Sequence, residues 1–146
     1  MIITVPMVEW EKALYNVLVR HIEGYPIINS MAPSQVGEMP AERWCNIGAY
    51  TDVPAAAKID AASHTVTTTI DVYSSSSSKQ SLNEMLSDIV TAVHSGKVLD
   101  EYIMENYILL SVGIASIEAF EVDFVNGKSG HQGSVRVIAE INQKFI

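Results

Sequence analysis

From Met7 to Ile22, apolar residues recur at steps of three and four: Met7, Trp10, Leu14, Val17, Leu18 and Ile22. Such spacing gathers side chains into one stripe along a helix, so a helix is predicted at about residues 6 to 23. The ends agree. Pro6 suits a first helical turn, Glu9 and Glu11 lie near the positive end of the helix dipole, Arg20 and His21 lie near the negative end, and Gly24 is able to take a left-handed terminating conformation. The periodicity then stops. Tyr25 to Glu42 contains Pro26, Pro33, Gly37 and Pro40, too many breakers for a long element, and reads as an extended or irregular excursion of the kind that makes contacts. RWCNIGAY, Arg43 to Tyr50, reads as a strand ended by a turn around Asp52 and Pro54.

HTVTTTIDVY, His64 to Tyr73, alternates strictly. Val66, Thr68, Ile70 and Val72 face one way and Thr65, Thr67, Thr69 and Asp71 the other, and the β-branched composition favours a strand. Five serines, Ser74 to Ser78, follow. Leu82, Met85, Leu86, Ile89, Val90 and Val93 then return to helix spacing, with Ser81 and Glu84 as a capping box and a stop expected near Ser95 and Gly96. The serines are thus a strand-to-helix joint with spare capping hydroxyls, because neither flank buries its apolar face without the other.

Downstream, Leu110, Val112, Ile114, Phe120, Val122 and Phe124 share one parity that Ser116 and Glu118 interrupt, which predicts a long strand bent or bulged near its middle. Asn126-Gly127 supplies hairpin chemistry. Val135, Val137, Ala139 and Ile141 alternate with Ser134, Arg136, Ile138, Glu140 and Asn142 in the returning strand. The order α-β-β-α-β-β describes a single α+β domain over residues 1–146: a mostly antiparallel sheet of about four main strands with two helices on one face.

Composition narrows the chemistry. The 146 residues are 48% hydrophobic and 18% charged, enough to bury a core. Nine Lys and Arg against 17 Asp and Glu give a net charge of −8, which argues against avid binding to nucleic-acid phosphates. The one cysteine, Cys45, excludes an intrachain disulfide or a Cys-based zinc cluster and fits a reducing compartment, with burial its expected role. No apolar run reaches the ~20 residues of a membrane span, and MIITVP is too short for a signal-peptide core, so the expectation is a soluble, cytosolic product.

No motif specifies catalysis. VDFVNGKS, Val122 to Ser129, ends like a phosphate-binding loop, but Val122 stands where its first glycine belongs and a hairpin tip explains the rest. His21, His64, His94 and His131 are far apart and form no HExxH or HxH pair. There is no GxSxG elbow, and Asp100, Glu101 and Glu105 read as a solvated polar connection. No cofactor, metal or enzymatic activity is expected.

The chain resembles the tail terminator, or tail-completion and tail-to-head joining, family of tailed bacteriophages. The resemblance rests on the amphipathic first helix, the Gly-Tyr-Pro excursion at Gly24 to Pro26, NIGAY at Asn46 to Tyr50 and VYS at Val72 to Ser74. It continues through Ser81 and Glu84 opening a helix, the break HSGKVL at His94 to Leu99, and the closing set Asn126, Gly127, His131, Gly133 and Glu140. It covers most of the chain. Tyr73 departs from a frequent Trp, Gln132 separates His131 from Gly133, and Ile28 to Glu42 has no clear counterpart.

The resemblance implies a ring, commonly hexameric, that caps the tail tube in the virion neck and docks to the head-completion or connector protein. It would be assembled in the host cytoplasm, with DNA passing through its lumen without specific binding. Six copies at −8 each would carry about −48, a lining that repels phosphate wherever it faces the lumen. Ring closure needs a head-to-tail interface. The candidate residues are Ile27, Ile28, Met31 and Met39 in the excursion, apolar yet too broken to be core, and Val125, Asn126, Lys128 and His131 at the hairpin tip. Two alternatives stand beside this: a head-closure or adaptor ring of the same neck, and a small cytosolic enzyme or ligand-binding domain using Asp123 and His131.

Overall fold

Trp10 shows how the chain closes on itself: its ring is fully buried and its indole N–H donates to Thr68 Oγ, 2.9 Å away, fixing the first helix to the middle of the sheet. The computed structural model describes residues 4–29, 42–58, 61–123 and 129–144. In order, the elements are α1 (Met7–His21), β1 (Ile27–Asn29), β2 (Arg43–Lys58), β3 (Ala61–Ser74), α2 (Lys79–Val98), β4 (Tyr107–Asp123) and β5 (Ser129–Gln143). The strands form one five-stranded sheet in the order β1-β2-β3-β5-β4. Among the described strands only β1 runs parallel to its neighbour; every other pair is antiparallel.

The expected α+β architecture is present, with one short strand added. β1 lies at the start of the proline-rich excursion, where Ile27 and Ile28 are β-branched and follow Pro26, a residue that holds the chain extended. Pro26 also accepts a backbone hydrogen bond from Cys45. α1 ends as expected near Ile22, which caps it in an extended conformation. Gly24 has a positive φ of 140°, in the turn that leads to Pro26 and not as the cap itself.

Two boundaries differ from the sequence expectation. The strand predicted to stop before Asp52 and Pro54 continues to Lys58. A bulge between Ile47 and Tyr50 shifts its register, so that Tyr50, Asp52 and Pro54 pair with Thr68, Val66 and His64. Proline is admitted because, among the described residues, no strand covers the far edge of β2 at this level, where a missing N–H costs no ladder bond. The cap of α2 is Ser78, whose side chain accepts from the Gln80 N–H. The capping box expected at Ser81 and Glu84 is not the helix start. Ser81 lies inside the first turn, where its hydroxyl receives a hydrogen bond from buried Ser74, and Glu84 accepts from the Gln80 side chain.

The other end of α2 also lies beyond expectation. Gly96 is internal and buried; a Cβ there would lie 2.5 Å from Val17 and 2.9 Å from Tyr102, so it is a contact glycine where α1 crosses. Termination falls to Asp100 instead, which takes a left-handed φ of 55°. The Asp100 N–H bonds the Lys97 carbonyl and the Glu101 N–H bonds the Gly96 carbonyl, the pair of contacts that define a Schellman turn.

β4 is bulged as predicted, but twice, between Leu109 and Ser111 and between Ile114 and Ser116. Each extra residue swaps the faces. Val112 and Ile114 therefore pack toward the core opposite Ala139 and Val137, whereas Phe120 and Val122, of the same sequence parity, oppose Gln132 and Gly130 on the sheet's other face. The main core joins α1 and α2 to the inward residues of β2, β3 and β5, among them Cys45, Ile47, Ile70, Val72, Val135 and Ile141. A second, smaller cluster lies on the face away from the helices: Trp44 stacks on Tyr73 at 4.0 Å, with Ile28 and Val122 against them.

Candidate assembly surfaces

Most polar groups with firm partners tie elements together. Glu101, beyond the Schellman turn, receives a 2.6 Å hydrogen bond from Arg20 and also pairs with His21, joining the C-terminal ends of both helices. The hydrogen bond from Arg20, then that from His21, hold its carboxyl below the usual carboxylate range. Glu9 does similar work at the other end of α1, accepting from the Glu105 and Asn106 N–H groups and from the Asn106 side chain. Desolvation pushes its pKa upward, but these hydrogen bonds and the Lys144 charge together outweigh it, and the net shift is downward. Cys45 is fully buried, and desolvation pushes its thiol up to about 12, so it is chemically quiet.

His64 is almost fully enclosed, 1% exposed. Its Nδ1–H donates to the Asp52 carboxylate at 3.0 Å, its ring meets Tyr107 edge-on, and its Nε2 has no partner among the described residues. The extra register residue in β2 is what aims Asp52 inward toward it. Nothing in the sequence spacing showed this pair, because the two residues are matched only through the bulge. Among the described residues, no three His, Cys, Asp or Glu side chains are grouped as metal ligands would be. No described helix is long and apolar enough to cross a membrane.

The residues nominated from sequence fall in different places. Ile27 is half-buried against the main core and Ile28 against the Trp44–Tyr73 stack. His131 lies under the start of α2, 6% exposed, with its Nδ1–H donating to the Ser76 carbonyl. Asp123 accepts from the Ser129 hydroxyl and forms no hydrogen bond or ion pair with His131, which stands opposite Glu121. Met31, Met39, Val125, Asn126 and Lys128 lie outside the described residues.

Exposed apolar side chains mark two further surfaces. At and beyond the end of α2, Val98, Leu99 and Ile103 are 83%, 61% and 78% exposed. Along β4, Ile117 and Phe120 are about half exposed, and Phe120 lines a depression of about 460 Å³ with Lys79, Leu82, Asn83, Ala119, Glu121 and His131. Sequence reading passed over the first set because Val98 and Leu99 sit where the helix was expected to have ended. Their signal is that Val98 falls off the stripe of Leu82, Met85, Ile89 and Val93. The sheet face away from the helices is polar at its centre, where Thr67, Thr69 and Arg136 border another depression of about 440 Å³.

No family model and no curated protein matches the chain. A solved structure does: a chain from the virion of a native gene transfer agent particle shares the fold with a TM-score of 0.52 at 12% identity, over 88% of this chain and 84% of that one.

Proposed function

We propose that this chain is a non-enzymatic structural component of a phage-like particle, and within it the tail terminator: a ring, six copies around, that ends the tail tube and joins it to the head. The observation that carries the reading is the fold shared, over nearly the whole of both chains, with a chain of a gene transfer agent virion. The sequence features of the tail-terminator family run along the same elements. The construction supports the role. Titratable side chains with strong partners staple helices and loops, the thiol is buried, and the exposed apolar residues sit on the outside, where protein contacts are made.

The charge distribution fits a DNA passage. On the sheet face away from the helices, among the residues whose side chains are described, Asp71, Glu118 and Glu140 outnumber the cation Arg136, which does not favour phosphate. The test is electron microscopy of particles produced without this protein. Overlong or headless tails are expected. Normal tails with heads that leak DNA would transfer the role to a head-closure ring, and unaltered particles would overturn the reading altogether.

A further inference from the structure

A ring needs two different patches on each copy, and the structure offers a pair at opposite ends of α2. At its C-terminal end is a knob: Val98, Leu99 and Ile103, three large aliphatic side chains within six residues, all mostly in solvent. The knob is rigid. The Schellman turn at Asp100 runs through it, Glu101 is fastened to Arg20 and His21, and the Tyr102 hydroxyl donates to the Val93 carbonyl at 2.8 Å. Exposed aliphatic residues on so fixed a turn lose little entropy on docking, which is what an anchor requires.

At the N-terminal end is a groove. β4 runs on past the cover of α2, leaving Ile117 and Ala119 exposed on the helix side of the sheet, and the depression between Ala119 and Glu121 of β4 and Lys79, Leu82 and Asn83 of α2 measures about 460 Å³. That is ample for an aliphatic side chain, since a dry cavity of ~150 Å³ already holds benzene. The 20 residues of α2 separate knob from groove by about 30 Å. The rims are complementary in charge: Asp100 and Arg20 beside the knob, Lys79 and Glu121 beside the groove.

We infer that the groove between α2 and β4 of one copy receives the Val98–Leu99–Ile103 knob of the next, with Asp100 toward Lys79 and Arg20 toward Glu121. Because the two patches differ, the contact is heterologous and propagates around a ring. The inference rests on the ring reading, and the experiment separates the two. Ile103→Asp removes the knob and leaves the groove; Ala119→Arg fills the groove and leaves the knob. Both positions are exposed, so far-UV circular dichroism and Tm should match the unaltered chain.

Light scattering across a concentration series should show the unaltered chain as a ring and each variant as a monomer, the association weakened at least tenfold. An equimolar mixture of the variants should give a dimer and nothing larger, because one sound knob meets one sound groove and the other two sites are spoiled. Rings that persist in either variant, including rings that form but no longer hold tail or head, would overturn the knob-and-groove contact and leave the ring reading standing. A mixture that stays monomeric would overturn it too. An unaltered chain that stays monomeric at every concentration, and in particles, would overturn both.

Discussion

Glu101 is the side chain on which the two helix ends most depend, and its chemistry sets a pH dependence. Its carboxyl is held below the ordinary range by the hydrogen bonds from Arg20 and His21. A carboxylate with a depressed folded-state pKa contributes stability that is fully present above its unfolded value, ~4.3 for glutamate, and is lost as pH falls through the lower folded value. Urea midpoints measured at pH 7 and pH 3 should therefore differ less for Glu101→Gln than for the unaltered chain, with the variant the less stable of the two at pH 7. Glu9, depressed by its bonds to Asn106 and Glu105, keeps the variant partly acid-sensitive. Equal pH responses would mean that Glu101 is not coupled to folding. None of this was readable in advance, since Glu101 lies 80 residues from His21 and looked like a solvated acid in a polar connection.

α2 shows how far an element can be read from its sequence and where the reading stops. Its apolar stripe placed it correctly, because burial of one face leaves a period that the chain cannot hide. Its ends moved by two or three residues because the signals were degenerate. Any of several serines is able to cap, and the glycine that looked like a stop is held inside by its contact with Val17 and Tyr102. Both true ends are open to test. Ser78→Ala should cost about 1 kcal/mol, while Ser77→Ala should stay within ~0.5 kcal/mol, as expected for a surface change. At the far end, Asp100→Gly should raise stability by roughly 0.5–1 kcal/mol, because glycine takes a positive φ without the steric cost. Chemical denaturation of the three variants checks all of these. A destabilised Asp100→Gly would show that the aspartate makes a compensating contact.

The whole assembly of two helices on one face of a mainly antiparallel sheet was legible because β3 and β5 alternate cleanly and the helices are amphipathic. Faces were misread only where bulges intervene: Phe120 was grouped with Val112 and lies on the opposite side. Candidate surfaces were less legible than the fold, since exposure is a property of the packed molecule. Ile103 is apolar in sequence and mostly in solvent in the structure. The acidity of the molecule carries its own expectation. Double-stranded DNA in excess should not be retained by the purified protein on a filter at 50 mM salt, where phosphate-binding proteins are at their tightest. Retention that declines steeply with added salt would reveal a basic surface that the composition does not indicate.

The doubled irregularity of β4 bears on what the edge of the sheet is able to pair with. Among the described strands β4 is the outermost on that side, and an unbroken border of 17 residues would invite indefinite stacking of one copy on the next. The misfits at Leu110 and Ala115 divide that border into short runs whose backbone groups no longer fall in step with a straight visitor. Strand addition at this border is thereby discouraged, and contacts there fall to side chains, which are selective where backbone is not.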